Sequence, residues 1–183
     1  MMLTQLECLI TLQEVKDSIR NIPNFPKEGI QFKDVSTAFK DNRIFKFVVN
    51  ELRNHYINLG ITKVVGIESR GFILGSSLAN ELHAGFIPIR KPGKLPAEIF
   101  SQSYDLEYGS DSLEIHTDAL SKEDVVLIHD DLLATGGTVN AAVDLVKKFG
   151  VTNIHINFFV ELDFLHGRDR ILSNVPVWSL IHF

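Results

Sequence analysis

The sequence has little of several features that define common classes of protein. A single cysteine, Cys8, among 183 residues excludes an internal disulfide framework and a cysteine-rich zinc module. No apolar run approaches the roughly 20 residues of a membrane-spanning helix, and no basic segment followed by an apolar stretch opens the chain as a secretion signal would. The net charge of −5 disfavours a basic nucleic-acid binder. We expect one soluble, cytoplasmic domain that binds neither nucleic acid nor membrane.

Familiar nucleotide-binding and catalytic motifs are also absent from the sequence. It has no Gly-x-Gly-x-x-Gly dinucleotide motif, and no lysine follows a glycine-rich loop as in a P-loop. A nucleophile elbow around Ser69 would need glycine where Ile67 stands. The histidines show no metal-binding spacing, so we interpret His129 and His155 as core or supporting residues.

The hydrophobic pattern alternates between the two regular structures. Runs of apolar or β-branched residues predict strands over 63–67, 86–90, 125–129, 154–160 and 177–182. Apolar residues at steps of three or four predict helices over 9–19, 41–59, 71–82 and 138–149. Proline and glycine predict loops over 23–29 and 88–96, and a hairpin is predicted over 104–116. This order indicates an α/β fold with a mostly parallel central sheet flanked by helices.

The stretch 125–138 carries the strongest functional signal. A buried strand is followed by Asp130 and Asp131, and then by a small-residue loop that opens a helix. Gly136 and Gly137 allow a ligand to approach the backbone, and free amides with the helix dipole behind them suit a phosphate dianion. Two carboxylates beside a phosphate are explained if they face ribose hydroxyls, with Mg²⁺ close by. We therefore predict a site for a phosphorylated sugar.

A short basic patch lies next to an acidic segment. Arg90, Lys91 and Lys94 occur between 84 and 97 without an acid, whereas 98–131 holds ten acids and one base. A polyanion–metal site would use this arrangement, although charge alone favours a solvated loop beside a solvated hairpin.

Residues 128–138 resemble the phosphoribosyl diphosphate (PRPP) signature of type I phosphoribosyltransferases. Four other segments resemble the adenine-using members of that family, and they cover residues 24–34, 68–72, 90–96 and 103–109. The resemblance runs from about residue 19 to the C-terminus. It implies that adenine and PRPP give AMP and pyrophosphate, with Mg²⁺, in a cytoplasmic homodimer used for purine salvage.

The resemblance also implies roles for individual residues. A single domain, 1–183, would carry an N-terminal hood over about 1–35 and a flexible lid over about 94–112. Glu107 would accept the proton from adenine, and Arg70 and Lys91 would also act in catalysis. The peptide between Glu68 and Ser69 is expected to be cis. The residues implied to bind PRPP are Asp130, Asp131, Ala134, Thr135, Gly136, Gly137, Thr138, Ser69, Arg70, Arg90, Lys91, Lys94 and Tyr108, and those implied to bind adenine are Gln31, Phe32 and Lys33.

Two other functions remain open from the sequence. One is a phosphoribosyltransferase for another purine or for orotate, against which the segment 32–34 argues. The other is a non-catalytic PRPP sensor that regulates transcription. The chain has no additional DNA-binding segment and retains Glu107 and Tyr108, so we favour the enzyme.

Overall fold

The computed structural model describes residues 10–105, 110–171 and 175–183. They divide into two compact units, one up to residue 50 and the other from residue 51 onward, which are described in turn. No helix in these ranges is both long and apolar enough to cross a membrane.

The first unit consists of short elements around a two-stranded sheet. A capping box between Thr11 and Glu14 starts the first helix, and its Val15 is fully buried. The two strands are antiparallel, with Ile22 opposite Phe32. The elements are α1 (Leu12–Ser18), β1 (Arg20–Pro23), β2 (Gln31–Asp34), α2 (Ser36–Phe39) and α3 (Asn42–Tyr56), which continues into the second unit.

The second unit is built on a five-stranded parallel sheet. Its strands are β3 (Lys63–Ile67), β4 (Gly85–Ile89), β7 (Val125–Leu133), β8 (Asn153–Glu161) and β9 (Val177–His182), arranged in the order β4-β3-β7-β8-β9. Because β7 pairs with a strand on each side, its residues 126–129 are buried on both faces. Ligands of such sheets bind where the strands deliver their carboxyl ends.

Two helices and a hairpin cover this sheet. The helix α4 (Gly71–Glu81) packs on β3, β4 and β7, and α5 (Gly137–Lys147) packs on β7 and on the hairpin. The hairpin consists of β5 (Ile99–Asp105) and β6 (Ser110–His116). Leu113 and Ile115 of β6 are fully buried in the same core as α5.

The predicted fold class is confirmed, and several boundaries differ. The strand predicted to end at His129 continues to Leu133, so Asp130 and Asp131 lie inside it. The loop predicted over 23–29 contains a turn but is flanked by the paired strands β1 and β2. The hairpin begins five residues earlier than predicted, at Ile99, because Phe100 packs edge-to-face on Phe149 in the turn that follows α5.

Candidate active site

The turn from β7 into α5 provides a binding site for an anion. Gly136 has a left-handed backbone, with φ at +85°, and precedes the first residue of α5. Within the described ranges, no side chain caps this helix, so its first amides are available to a ligand. A cavity of about 80 Å³ opens beside them, lined by Asp130, Leu132, Leu133, Ala134, Thr135, Gly136, Thr138, Val139 and Phe158. The predicted loop and the cavity therefore coincide.

Two adjacent carboxyl groups stand at the edge of this cavity. Asp130 lines it and is half-buried, whereas Asp131 is 3% exposed. Burial, followed by the charge of Asp131, raises the pKa of Asp130 well above its ordinary value. Burial also raises the pKa of Asp131, although the Arg70 guanidinium opposes that effect from 2.9 Å (Nε to Oδ2). A ligand that offers hydroxyl donors or a cation to this pair would be bound favourably.

The loop after β3 brings a third carboxylate toward the same edge. The peptide between Glu68 and Ser69 is cis, as expected. Glu68 accepts hydrogen bonds from Arg90 Nε at 3.2 Å, Arg90 Nη2 at 3.0 Å and the Lys91 amide at 2.9 Å. These bonds, with Arg90 the largest contributor, lower the pKa of Glu68. Since β3 and β4 are parallel neighbours, this loop and the loop of Arg90 and Lys91 are held together.

Lys91 is paired with the hairpin. Its ammonium group donates to the carboxylate of Asp111, and it lies 3.3 Å from the Tyr104 hydroxyl. Burial acts to lower the pKa of Lys91, but the contacts with Asp111 and Tyr104 outweigh it and the net pKa is raised. The same contact lowers the pKa of Asp111. Lys94 is exposed, and its backbone carbonyl accepts from Arg90 Nη1 at 3.3 Å.

The structure thus groups most of the predicted PRPP ligands at one edge of the sheet. Ser69 and Arg70 follow β3, Arg90 and Lys91 follow β4, and the residues from Asp130 to Thr138 end β7 and begin α5. Glu107 and Tyr108 lie outside the described residues, so their roles stay predictions.

The residues predicted for adenine belong to β2 of the first unit. Phe32 is half-buried and packs edge-to-face on Phe25, with ring centroids 5.1 Å apart. The side chain of Gln31 accepts a hydrogen bond from Asn21 at 2.6 Å. The base-binding roles of Gln31, Phe32 and Lys33 stay predictions.

Sequence reasoning missed the two acids that organise the basic residues. Glu68 and Asp111 neutralise Arg90 and Lys91 across 22 and 20 residues of chain. For Asp111, the acidic segment that follows the basic patch was the available signal. The interpretation of His129 as a core residue is confirmed, since it is fully buried with Nδ1 2.6 Å from Asn157 Oδ1. Burial lowers its pKa to about 4, so it is neutral at physiological pH.

Comparison with known proteins agrees with this geometry. A strand end with paired acids, a glycine turn and an open helix start is what a protein that binds a phosphorylated ribose requires. The family model described as "Phosphoribosyl transferase domain" matches residues 36–176. The adenine phosphoribosyltransferase of Bacteroides thetaiotaomicron is 56% identical over 164 residues, which is 90% of this chain and 93% of that protein. The Geobacter metallireducens enzyme is 52% identical, covering 94% of this chain and 100% of its own.

Solved structures are similar over the same extent. The adenine phosphoribosyltransferase of Thermoanaerobacter pseudethanolicus has a TM-score of 0.91 at 47% identity, covering 94% of this chain and all of its own. The Giardia lamblia enzyme, complexed with 9-deazaadenine, has a TM-score of 0.92 at 41% identity, covering 96% and 99%. The chain belongs to the phosphoribosyltransferase family and, within it, to the adenine phosphoribosyltransferases.

Proposed function

We propose that this chain transfers the 5-phosphoribosyl group of PRPP to N9 of adenine, giving AMP and pyrophosphate. The observation that carries the proposal is the open start of α5 beside the cavity that Asp130 lines. A phosphorylated sugar satisfies both features, because its dianion accepts from helix amides while its hydroxyls donate to carboxylates. The names of the relatives support adenine as the acceptor.

The PRPP molecule is assigned along the sheet edge in three parts. Residues 134–138 hold the 5′-phosphate, and Asp130 and Asp131 accept from the ribose hydroxyls. The pyrophosphate is bound by Ser69, Arg70, Arg90, Lys91, Lys94 and Tyr108. A relative from Trypanosoma brucei, 28% identical with a TM-score of 0.85, was solved with AMP, pyrophosphate and ribose-5-phosphate, which supports a site for these three chemical groups.

Catalysis by these residues is mainly electrostatic. Displacing pyrophosphate from an anomeric carbon passes through an oxocarbenium-like state, so negative charge grows on the leaving group. Arg70 and Lys91 stabilise that charge, and both side chains are close to 40% exposed, which leaves them accessible to the ligand. Arg70 forms an ion pair with Asp131. This pair connects the residues proposed to bind the pyrophosphate with those proposed to bind the ribose.

The attacking nitrogen of adenine must lose its proton. We assign Glu107 as the acceptor, since a carboxylate carried by a closing segment reaches the base only when the site is shut. Water is the competing nucleophile, and closure of a lid over about 94–112 would exclude it. In the described part of this segment, Phe100 packs against the core and on Phe149.

Mg²⁺ is the proposed cofactor, and the donor set fits it. Asp130 and Asp131 offer hard oxygen atoms. Burial raises the pKa of both groups, and the charge of Asp131 adds to this effect at Asp130; a nearby cation would oppose both effects. When bound, the ion supplies positive charge to the pyrophosphate oxygens. We propose that PRPP carries the ion and that these two residues lie nearby.

Adenine recognition is assigned to the first unit. Phe32 stacks on the base, and backbone groups of Gln31 and Lys33 contact its edge. Backbone recognition tolerates side-chain differences at Lys33, since the amide and carbonyl are common to all residues. The hood over about 1–35 would supply these contacts.

The oligomeric state and the cellular location of the protein are also part of the proposal. We propose a cytoplasmic homodimer that acts in purine salvage, on the basis of the family alone. Neither nucleic acid nor a membrane is a proposed partner, and the acidic net charge of −5 agrees with that.

One experiment tests the function. The wild-type protein receives Mg²⁺ and PRPP with adenine, hypoxanthine, guanine or orotate in parallel, and both nucleotide and pyrophosphate are followed. We expect AMP to form far faster than any other nucleotide. Faster use of another base would overturn the assignment to adenine, and PRPP binding without pyrophosphate release would indicate a sensor.

A further inference from the structure

A short segment behind the phosphate loop has no role in the proposed chemistry so far. Residues 162–171 follow β8, and 168–170 form a single 3₁₀ turn. The backbone of Gly167 lies directly against the loop. A Cβ on Gly167 would overlap the carbonyl oxygen of Ala134, and a Cβ on Gly136 would lie 2.7 Å from the carbonyl oxygen of Gly167. Two backbones therefore touch where neither has room for a side chain.

The segment is fastened to the sheet and to α5 on both sides of Gly167. Leu162 donates its amide to the Leu133 carbonyl at 3.0 Å, next to the loop. Asn140, in the first turn of α5, donates from Nδ2 to the Arg170 carbonyl at 2.8 Å. These two bonds tie the segment to both elements that the phosphate loop connects.

Arg168 forms the third attachment. Its guanidinium donates to Glu161 Oε1 at 2.9 Å, to Ser179 Oγ at 3.2 Å and to the Val177 carbonyl at 2.8 Å. Glu161 is buried, and burial acts to raise its pKa, but Arg168 and Ser179 outweigh burial and the pKa is lowered. An ion pair with additional hydrogen bonds at the ends of β8 and β9 is a rigid anchor.

We propose that Gly167 is a positioning residue for PRPP. Its lack of a side chain lets residues 167–170 support the phosphate loop from behind and hold the amides of 135–138 in their ligand-binding arrangement. A loop without this support would have to be ordered when the ligand binds, and that loss of conformational freedom would weaken PRPP binding. This inference rests on the proposed function, because that function names the loop's ligand.

The test is Gly167→Ala, studied as the full chain. Gly167 has an ordinary backbone conformation, with φ at −63°, so the substitution acts through the overlap with Ala134. We expect the Kd for Mg²⁺–PRPP, measured by calorimetry, to rise about tenfold or more, while the KM for adenine stays within about twofold of wild type. The matched control is Gly85→Ala, whose Cβ would meet only the flexible end of Lys63.

If Gly167→Ala does not fold, a second variant with a smaller structural change tests the same role. Asn140→Ala removes one hydrogen bond to the segment, and we expect the PRPP Kd to rise about two- to fivefold with the adenine KM unchanged. An unchanged PRPP Kd in the folded variants, or an equal loss of affinity for both substrates, would overturn the positioning role. If the variants give either of these results while the wild type binds PRPP, only the positioning role of Gly167 is overturned. If wild type itself does not bind PRPP, the proposed function fails as well.

Discussion

The two ends of the proposed PRPP site are prepared for negative charge in different ways. At the phosphate end, residues 134–138, the available groups are backbone amides beside a cavity that is already present. At the pyrophosphate end, Arg90 and Lys91 are each paired with a carboxylate of the protein, Glu68 and Asp111. The phosphate end is therefore preformed, whereas the pyrophosphate end must exchange an internal acid for the ligand.

The cost of that exchange is small. Lys91 is 41% and Asp111 28% exposed, and partly exposed ion pairs contribute at most about 1 kcal/mol. We expect the phosphate end to determine affinity and the pyrophosphate end to determine rate.

The largest effect is expected between the two ends, at the carboxyl pair. The double substitution Asp130→Asn and Asp131→Asn removes both carboxyl groups of this pair, and the Kd for Mg²⁺–PRPP should rise about 100-fold. Calorimetry measures this directly. The variant Asp118→Asn with Glu123→Gln removes two carboxyl groups from exposed positions and should bind PRPP as the wild type does. An unchanged Kd in the Asp130 and Asp131 variant would remove the ribose assignment.

A somewhat smaller effect is expected at the pyrophosphate end. Lys91→Met removes the cation and keeps most of the side-chain volume, so kcat should fall about 30-fold with a smaller change in the PRPP KM. Steady-state kinetics separate the two parameters. Lys122→Met, at an exposed site, serves as the control. A change confined to KM would mean that Lys91 binds the ground state and gives no assistance to departure of pyrophosphate.

Below the phosphate end, the buried His129 should make stability depend on pH. Its pKa is lowered from 6.5 to about 4 by burial, so the unfolded chain takes up the proton first as the pH falls. The free energy of unfolding is therefore highest well above pH 6.5, where His129 is neutral in both states. It should decrease by about 2 kcal/mol by pH 5 because of this histidine. Urea unfolding at pH 7.5 and 5 of wild type and His129→Leu measures the difference.

We expect His129→Leu to lose less stability than wild type over that interval. The exposed His83 gives a control, His83→Asn, which should follow wild type. Equal pH dependence in wild type and His129→Leu would show that His129 is not held neutral in the folded protein.

The smallest effect is expected at the internal acid of the pyrophosphate end. Asp111→Asn removes the charged partner of Lys91, so the ammonium group becomes available to the ligand and the PRPP KM should fall. The fall should be only about two- to threefold, because the lost ion pair is partly exposed. Kinetics at low ionic strength are the most sensitive measurement. A rise in the PRPP KM would instead mean that Asp111 orients Lys91 for the ligand.

Much of the sheet was predictable because its signals are local. The continuous apolar runs of β3 and β7, and the small residues between Asp131 and α5, are determined by neighbours in sequence. The β1–β2 pair was missed because Pro23 and Gly29 indicate a loop, while the strands are stabilised by pairing with each other.

The parts of the site that sequence reasoning missed depend on distant residues. Glu68 meets Arg90 only because β3 and β4 lie side by side, and Gly167 meets Gly136 only because β8 returns beside β7. Pattern reasoning detects which residues can bind an anion. It does not detect which of these residues already form an ion pair with another side chain in the folded protein.

A crystal structure with Mg²⁺ and PRPP would show directly which group occupies each end of the site. We predict the 5′-phosphate within hydrogen-bonding distance of the amides of 135–138, with the ribose hydroxyls on Asp130 and Asp131. A 5′-phosphate bound instead among Arg90, Lys91 and Lys94, with the start of α5 making no contact, would contradict it.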